Sequence, residues 1–343
     1  MVDDSRYVRQ VALPEVGVEG QRRLGASRVV VMGCGALGAA AANLLARAGV
    51  GRLVLADRDF VERSDLQRQA LYDEDDVAAD LPKAEAARRK LARANPDIAI
   101  DAVVADVDRG RVEPLVAGAD LVVDGADNFD LRFLVNEACV KAGVPWVHGA
   151  VLGSYGVQWT VVPGETACLA CLVDKAPAAG VVPTCETAGV MSPAVAAVAA
   201  LQVAEALKLL TGNRHRLRGT LVAFDLWANT RSEVRVARFT GDPGCPVCVE
   251  GRFDRLEGRV GLSTSVLCGR DVVQVSSPPG TAVPLAAVAA RLPPATRPTF
   301  NAFLLRFEVD GCRVTLFPDG RAIVQGTADP ARARAILAKH VGL

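Results

Sequence analysis

The residues from 33 to 57 have the types and spacing of a nucleotide site. The sequence GCGALG at positions 33 to 38 fits the pattern GxGxxG and directly follows a run of apolar residues at 29 to 32. Glycines at this spacing let the backbone approach a phosphate and lead a buried strand into a helix. Asp57 ends the next apolar run, where an acidic side chain can bind ribose hydroxyls. The predicted contacts are Gly33, Gly35 and Ala36 at the phosphates and Asp57 at the ribose.

Two cations beyond the acid favour a polyphosphate ligand. Arg68 lies in the segment SDLQRQ at 64 to 69, and Lys83 follows a proline at the start of a predicted helix. A pair of converging cations suits a triphosphate, and a nicotinamide site needs neither. GxGxxG and Asp57 alone also fit an NAD-linked oxidoreductase. On spacing alone, Lys83 also fits a solvated helix end, and Asp59 fits either a triphosphate and magnesium contact or a cap of the following segment.

An acidic loop follows a later strand. Residues 120 to 123 are predicted to form a buried strand, and Asp127 and Asn128 lie just past its carboxyl end. Ligands of open α/β sheets bind at such ends, and carboxylates are preferred ligands of Mg²⁺. We therefore expect Asp127 to hold magnesium beside the nucleotide. His148 lies alone in an apolar strand and is predicted to be a core residue rather than a base.

Four of the nine cysteines form two CxxC pairs. The amino terminus lacks a signal-peptide pattern, so we expect the protein to be cytoplasmic and its thiols to be reduced. Two CxxC pairs then favour a structural zinc site with four cysteine ligands over four unmetallated thiols. The predicted ligands are Cys168, Cys171, Cys245 and Cys248.

Composition indicates a soluble globular chain of two domains. The chain has 343 residues, of which 50% are hydrophobic and 23% charged, with 39 basic and 39 acidic residues. This balance gives no net field to attract nucleic acid or an anionic membrane, so neither is an expected partner. The apolar segment 193 to 210 carries Gln202, Glu205 and Lys208 and is predicted to be a buried helix with one solvated stripe rather than a membrane span.

The alternation of strands and helices predicts a Rossmann-like, doubly wound α/β sheet with the zinc knuckle in the same domain. We predict an ATP-binding domain over residues 1 to 250 and a small α+β domain over residues 256 to 343. The second domain has no cluster of titratable residues, which favours a docking or dimer surface. Cys268 and Cys312 are expected to be packed thiols there.

Several motifs in the same order resemble the ThiF/MoeB/HesA family of adenylating enzymes, relatives of the ubiquitin-activating enzymes, over roughly residues 5 to 250. They are RYVRQ at 6 to 10, GCGALG, Asp57-x-Asp59, SDLQRQ beginning at Ser64, Pro82-Lys83, Asp127-Asn128, CETAGV at 185 to 190 and the two CxxC pairs. Two residues depart from the family pattern. Ala36 replaces a glycine, and Asp65 replaces an asparagine, which adds an anion near the triphosphate.

The resemblance implies ATP- and magnesium-dependent adenylation of the Gly-Gly carboxylate of a ubiquitin-like sulfur carrier protein. It further implies a homodimer in which Arg9 reaches the ATP of the partner subunit. Cys185, after a loop rich in glycine and proline, matches the family's thiol motif and is expected to form a thioester or an acyl disulfide. A sulfurtransferase or cysteine desulfurase would then be the sulfur donor. The departures at Ala36 and Asp65 leave a non-catalytic scaffold as an alternative.

Overall fold

The computed structural model describes residues 4–173, 188–236, 244–259, 271–275 and 281–341. The chain divides into two compact units, Met1–Gly261 and Leu262–Leu343. The predicted residue Cys185 and the predicted packed thiol Cys268 lie outside the described residues.

The first unit is built on one eight-stranded sheet. Its strands are β1 Arg28–Met32, β2 Arg52–Asp57, β3 Ala99–Val104, β4 Leu121–Asp124, β5 Trp146–Leu152, β6 Tyr155–Val161, β7 Thr220–Asp225 and β8 Thr230–Arg235. The strand order is β3-β2-β1-β4-β5-β6-β7-β8, parallel from β3 to β5 and antiparallel from β5 to β8. The order reverses between β1 and β4, which is where open α/β sheets bind ligands.

Helices connect these strands and cover both faces of the sheet. They are α1 Val8–Val11, α2 Gly17–Ala26, α3 Ala36–Ala48, α4 Glu74–Ala78, α5 Lys83–Ala94, α6 Arg109–Val116, α7 Phe129–Ala142, α8 Leu169–Leu172 and α9 Ser192–Leu210, with 3₁₀ turns at Asp4–Tyr7, Arg63–Asp65 and Arg214–Arg216. Val30 and Met32 of β1 pack in the cluster formed with α6 and α7, whereas Val31 lies beneath Gly38 of α3. Because both faces of the sheet are covered, the sequence of β1 is a nearly continuous run of apolar residues. The predicted doubly wound fold is confirmed.

The solvated stripe predicted on α9 is wrong at two of its three residues, whereas the side chain of Lys208 is 31% exposed. Gln202 and Glu205 are each at most 1% exposed. Gln202 donates to the carbonyl oxygens of Asp124 and Val147, and Glu205 accepts from the backbone N–H of Arg218. By length and composition α9 is apolar enough to cross a membrane. In the structure its polar residues bind the sheet that it covers, so it is a core helix of the first unit.

The described residues of the second unit form a five-stranded antiparallel sheet and two α-helices, in agreement with the predicted α+β pattern. Its elements are β9 Val272–Val275, α10 Leu285–Arg291, a 3₁₀ turn at Pro294–Thr296, β10 Thr299–Phe300, β11 Leu305–Val309, β12 Cys312–Leu316, β13 Ala322–Gln325 and α11 Pro330–His340. The strand order is β10-β11-β12-β13-β9. Cys312 is buried in its apolar core, as predicted.

Candidate active site and zinc centre

The glycine loop meets the acidic loop where the strand order reverses. Gly33 has φ of +92°, and a Cβ atom there would lie 2.5 Å from the carbonyl oxygen of Gly125. A Cβ atom on Gly38 would lie 1.8 Å from the carbonyl oxygen of Gly33. Only glycine fits at these two positions, because Gly33 lies against the backbone of the loop after β4 and Gly38 lies against the backbone of Gly33.

Gly35 has a different role, because it leaves space. It is the N-cap residue of the 13-residue helix α3, and a Cβ atom on it would meet nothing within 4 Å. The first amide groups of a helix have no partner within the helix and attract anions. Ala36, the first residue of α3, is small enough to keep this approach open. The predicted phosphate contacts at Gly35 and Ala36 therefore lie at an accessible helix N-terminus.

Asp57 ties the glycine loop to the end of β2. Its Oδ2 accepts the backbone N–H of Cys34 at 2.5 Å, and its Oδ1 accepts the backbone N–H of Asp59 at 2.6 Å. Burial, together with the charge of Asp59, raises the pKa of Asp57 to about 6. Each oxygen retains a second lone pair, so a ribose hydroxyl can still bind there.

Lys83 and Arg68 converge on one acid. Lys83 begins α5, its backbone N–H donates to the carbonyl oxygen of Asp59 at 2.8 Å, and its Nζ lies 3.3 Å from Oδ2 of Asp65. Arg68 Nη2 lies 3.1 Å from Oδ1 of the same side chain. Burial lowers the pKa of Lys83, but the charges of Asp59, Asp57 and Asp65 outweigh burial and raise it overall. Lys83 therefore remains an ammonium at neutral pH.

The loop that carries Asp127 is held rigidly from below. Asp124 accepts the backbone N–H of Ala126 at 2.9 Å, and Arg132 donates to the carbonyl oxygen of Ala126 at 2.7 Å while its Nε lies 3.2 Å from Asp124. Asn128 caps α7 by accepting the N–H of Leu131 and donates to Oδ1 of Asp127 at 2.9 Å. The Asp127 side chain is exposed at the tip of this loop.

The sequence interpretation missed this support. The predicted strand ends at residue 123, but Asp124 is the last residue of β4. Asp124 is 2% exposed and also lies 2.6 Å from Nδ1 of the buried His148. His148 packs between Trp146 and Trp159, as expected of a core residue. The sequence does offer a signal for this contact between Arg132 and Asp124. Arg132 lies eight residues after Asp124, on the helix that Asn128 caps.

A further cation was also missed. Arg58 follows Asp57, and its Nη1 lies 3.0 Å from Oδ1 of Asp106. Burial lowers the pKa of Arg58, but four surrounding carboxylates outweigh burial and raise it. Those carboxylates belong to Asp59, Asp106, Asp127 and Asp57. Arg58 therefore offsets part of the negative charge at this edge of the sheet.

Two predicted residues lie apart from this group. Arg9 is exposed on α1, and no hydrogen bond or ion pair among the described residues joins it to the glycine loop. Ser64 is exposed, and its carbonyl oxygen accepts from Arg68 Nη1 at 2.7 Å. Ser64 therefore contacts Arg68 through its backbone, and its hydroxyl donates to Oε2 of Glu62 at 3.3 Å.

The four predicted zinc ligands come together. Their sulfur atoms all lie within 4.8 Å of one another, at 3.8 Å for Cys168 to Cys171, 3.7 Å for Cys168 to Cys245 and 3.3 Å for Cys171 to Cys248. Zn–S bonds of about 2.3 Å in a tetrahedron require sulfur separations of about 3.8 Å. The hydrogen bond between these two thiols lowers the pKa of Cys168 and raises the pKa of Cys171, so it favours a thiolate at Cys168 alone. The cluster fits a four-coordinate zinc ion.

The two pairs come from segments that are far apart in the sequence of the first unit. Cys168 is the N-cap of the one-turn helix α8, whose Leu169 N–H donates to Asn136 of α7 at 2.9 Å. Cys245 and Cys248 lie on a turn closed by hydrogen bonds from residues 249 and 250 to the carbonyl oxygen of Cys245. A metal ion bound by all four sulfur atoms would have no coordination position left for water, as in structural zinc sites.

A doubly wound sheet with a glycine loop, two converging cations and an acidic loop at its reversal point defines a nucleotide-binding α/β protein. The ThiF family model matches residues 7–247, and the chain belongs to this family. The membership predicted from the motifs is confirmed.

The chain is 46% identical over 338 residues to the sulfur carrier protein ThiS adenylyltransferase of Bacillus subtilis, covering 98% of this chain and 99% of that protein. It is 45% identical to the SAMP-activating enzyme E1 of Haloferax volcanii, over 74% of this chain and 91% of that one. It is 40% identical to the molybdopterin-synthase adenylyltransferase of Escherichia coli, over 71% and 95%. Among solved structures, E. coli MccB with ATP aligns with a TM-score of 0.62 and 25% identity, covering 72% of this chain and 74% of that chain.

Proposed function

We propose that this protein is an adenylyltransferase that joins AMP from ATP to the C-terminal Gly-Gly carboxylate of a ubiquitin-like sulfur carrier protein. The observation that carries the proposal is that Lys83 and Arg68 both contact Asp65 beside the glycine loop. The similarity of 98% of this chain to a ThiS adenylyltransferase supports it. The relatives named above favour adenylyl transfer over the oxidoreductase alternative.

In the proposed reaction a carrier carboxylate oxygen attacks the α-phosphorus of ATP, the bond to the β-phosphate oxygen breaks, and pyrophosphate leaves. A carboxylate is already ionised at neutral pH, so no general base is required. Catalysis then rests on positioning and on stabilising the charge that develops on the phosphates. The chain supplies both through fixed dipoles and cations.

The described residues take the following roles. Amides at Gly35 and Ala36 bind phosphate, and Asp57 binds the ribose. Lys83 and Arg68 offset the charge of the leaving pyrophosphate, and Arg58 offsets the charge of the surrounding acids. Asp127, oriented by Asn128, would hold Mg²⁺, which when bound offsets phosphate charge. Asp59 binds the start of α5 through its carbonyl oxygen and adds negative charge beside Lys83.

The remaining roles rest on the family resemblance. Arg9 contributes to the site of a second subunit in a homodimer, which fits its exposure on α1. Cys185 accepts the activated carrier after adenylation, and a sulfurtransferase or cysteine desulfurase supplies sulfur. The four-cysteine site binds zinc and holds α8 against the turn of Cys245. The enzyme acts in the cytoplasm.

The test is ATP-pyrophosphate exchange with a small purified carrier that ends in Gly-Gly. We expect exchange that requires magnesium and the carrier, and a loss of at least about 100-fold in Asp127→Ala, since a charge-stabilising contact in the transition state is removed. Asp75→Ala, which removes an exposed acid of α4, is the control and should exchange like wild type. Undiminished exchange in Asp127→Ala, or hydride transfer with NAD, would contradict the proposal.

A further inference from the structure

Tyr72 is a buried phenol to which the reaction described above gives no role. It is 5% exposed and lies in the segment between the 3₁₀ turn Arg63–Asp65 and α4. Its hydroxyl donates to the carbonyl oxygen of Cys34 at 2.6 Å and lies 3.2 Å from the carbonyl oxygen of Lys83. Burial raises the pKa of Tyr72 well above its ordinary value, so the hydroxyl keeps the proton that it donates. The side chain therefore joins the glycine loop to the first turn of α5.

The bond to Cys34 fixes the direction of an amide that the proposed function assigns to phosphate. The peptide bond between Cys34 and Gly35 is trans, so its carbonyl and its N–H point in opposite directions. Because Tyr72 holds the carbonyl toward the buried side of the loop, the N–H of Gly35 points away from that side. Space for a ligand exists at Gly35, where a Cβ atom would meet nothing within 4 Å.

The preceding amides of the loop are bound within the protein. The N–H of Gly33 donates to the carbonyl oxygen of Ala56 at 2.8 Å. The N–H of Cys34 donates to Asp57 at 2.5 Å. Among the residues that the structure describes, the N–H of Gly35 has no acceptor. Such an N–H at the start of a helix is available to an anion, so this amide is the first in the loop that can bind a ligand.

We propose that Tyr72 is a positioning residue that directs the N–H of Gly35 toward a phosphate of ATP and ties this amide to the helix that carries Lys83. The inference rests on the proposed function and deepens it, because it concerns how the triphosphate is recognised. Without the hydroxyl, the buried carbonyl of Cys34 loses its donor and the peptide can rotate. Rotation weakens the contact with phosphate but leaves the ribose site at Asp57 in place, so a nucleotide and a nucleoside should respond differently.

The experiment measures the dissociation constants of ATP and of adenosine by calorimetry in wild type and Tyr72→Phe. Adenosine keeps the ribose and lacks the phosphates. We expect the constant for ATP to rise about 10-fold, the effect of losing one hydrogen bond to a charged group. The constant for adenosine should remain that of wild type. Both constants come from the same preparation, so a reduced folded fraction does not change their ratio.

Thr211→Val is a matched control. Thr211 is 8% exposed, and its hydroxyl donates to the carbonyl oxygen of Leu207 at 2.7 Å. Like Tyr72→Phe, this variant removes a buried hydroxyl from a backbone carbonyl, but it does so beside Gly20 of α2 rather than in the glycine loop. Both variants should lower the midpoint of thermal unfolding, whereas Thr211→Val should leave both dissociation constants unchanged.

The outcomes separate this inference from the proposed function. An ATP dissociation constant in Tyr72→Phe equal to that of wild type would overturn the positioning role. Equal weakening of ATP and adenosine would also overturn it, because that indicates general damage to the site, and so would an equal loss of ATP affinity in Thr211→Val. If wild type binds ATP but catalyses no pyrophosphate exchange, the proposed function fails, while the ratio of the two constants still tests the role of Tyr72.

Discussion

Asp57 is a residue whose environment opposes its charge. Its two oxygens bind the amides of Cys34 and Asp59, yet burial and the neighbouring charge of Asp59 raise its pKa to about 6 from 3.8. The folded protein therefore retains a proton on Asp57 at pH values where the unfolded chain has lost it. Stability must then fall as the pH rises through this window, because the folded state binds more protons than the unfolded state.

We predict that wild type loses stability relative to Asp57→Asn as the pH rises from about 4 to about 6. The thermal unfolding midpoint of wild type minus that of Asp57→Asn should therefore decrease over this range and be constant above it. Asparagine does not titrate, so other ionisable groups cancel in the comparison. The measurement is differential scanning fluorimetry across this range. A difference that is independent of pH would show that the pKa of Asp57 is close to its ordinary value.

A second prediction at this scale concerns Cys185, for which the motif CETAGV supplies the argument. Cys185→Ala should retain pyrophosphate exchange, because adenylation precedes the step proposed for the thiol. A reductant-sensitive covalent adduct between enzyme and carrier, detected by mass spectrometry with a sulfur donor present, should disappear. An adduct that persists in Cys185→Ala would assign the acceptor to another residue.

At the scale of elements, β4 and α7 act as one support for the acidic loop. Asp124 ends β4, Arg132 lies on α7, and both bind the backbone of Ala126, next to Asp127. The Arg132 side chain is 10% exposed and that of Asp124 is 2% exposed. Removing one partner of such a buried pair leaves a charge without compensation and is strongly destabilising.

Arg132→Met should lower the free energy of unfolding by roughly 3 kcal/mol, the loss expected when a buried ion pair is broken. It should also slow exchange, since Asp127 loses its fixed position. Arg22→Met is the control, because Arg22 pairs with Glu19 at an exposed site and should change little. Urea denaturation measures the stability of both variants. A loss under about 1 kcal/mol in Arg132→Met would contradict this prediction, because it would show that the pair stabilises the fold no more than an exposed ion pair does.

The elements whose sequence carries a strong local signal could be predicted. α3 occupies residues 36 to 48, directly after the glycine pattern that predicts a helix, and β1 agrees within one residue with the apolar run at 29 to 32. The stripe on α9 was predicted wrongly because a polar side chain on a helix does not have to point toward solvent. Gln202 is polar but points inward, since it binds carbonyl oxygens of β4 and β5. Only the neighbouring strands could have shown this.

The site was predicted as a set of side chains, and its supporting contacts were not. Lys83 and Arg68 could be predicted from the sequence, because positively charged side chains are the expected ligands of a triphosphate. That both contact Asp65 depends on how the 3₁₀ turn packs against α5, which spacing in the sequence does not specify. Likewise, Arg132 and Asp124 meet because α7 packs on the sheet, although they are eight residues apart.

At the scale of the whole molecule, the chain contains two units, and the relatives differ in how much of it they match. The Bacillus subtilis protein matches 98% of this chain, whereas the Escherichia coli molybdopterin-synthase adenylyltransferase matches 71% of it and 95% of itself. The second relative thus aligns nearly completely with a part of this chain. We propose that adenylation belongs to the first unit and that the second serves a separate docking role.

We predict one zinc ion per chain, measured by elemental analysis. Cys245→Ser should remove the metal and lower the unfolding midpoint by more than it lowers the exchange rate, because the site joins distant segments of the first unit and lies outside the nucleotide site. Cys139→Ser, at a buried thiol outside the cluster, should retain the metal. Folded, active wild type without metal would exclude the assignment.

Adenylation is tested most directly by the intact mass of the carrier after incubation with this protein, ATP and magnesium in the absence of a sulfur donor. We expect the carrier to gain one AMP on its C-terminal carboxylate, with release of pyrophosphate, and to gain nothing when the final glycine is deleted. Addition of pyrophosphate should reverse the modification. A carrier of unchanged mass beside a protein that binds ATP, or AMP attached to a site other than the C-terminus, would contradict the account.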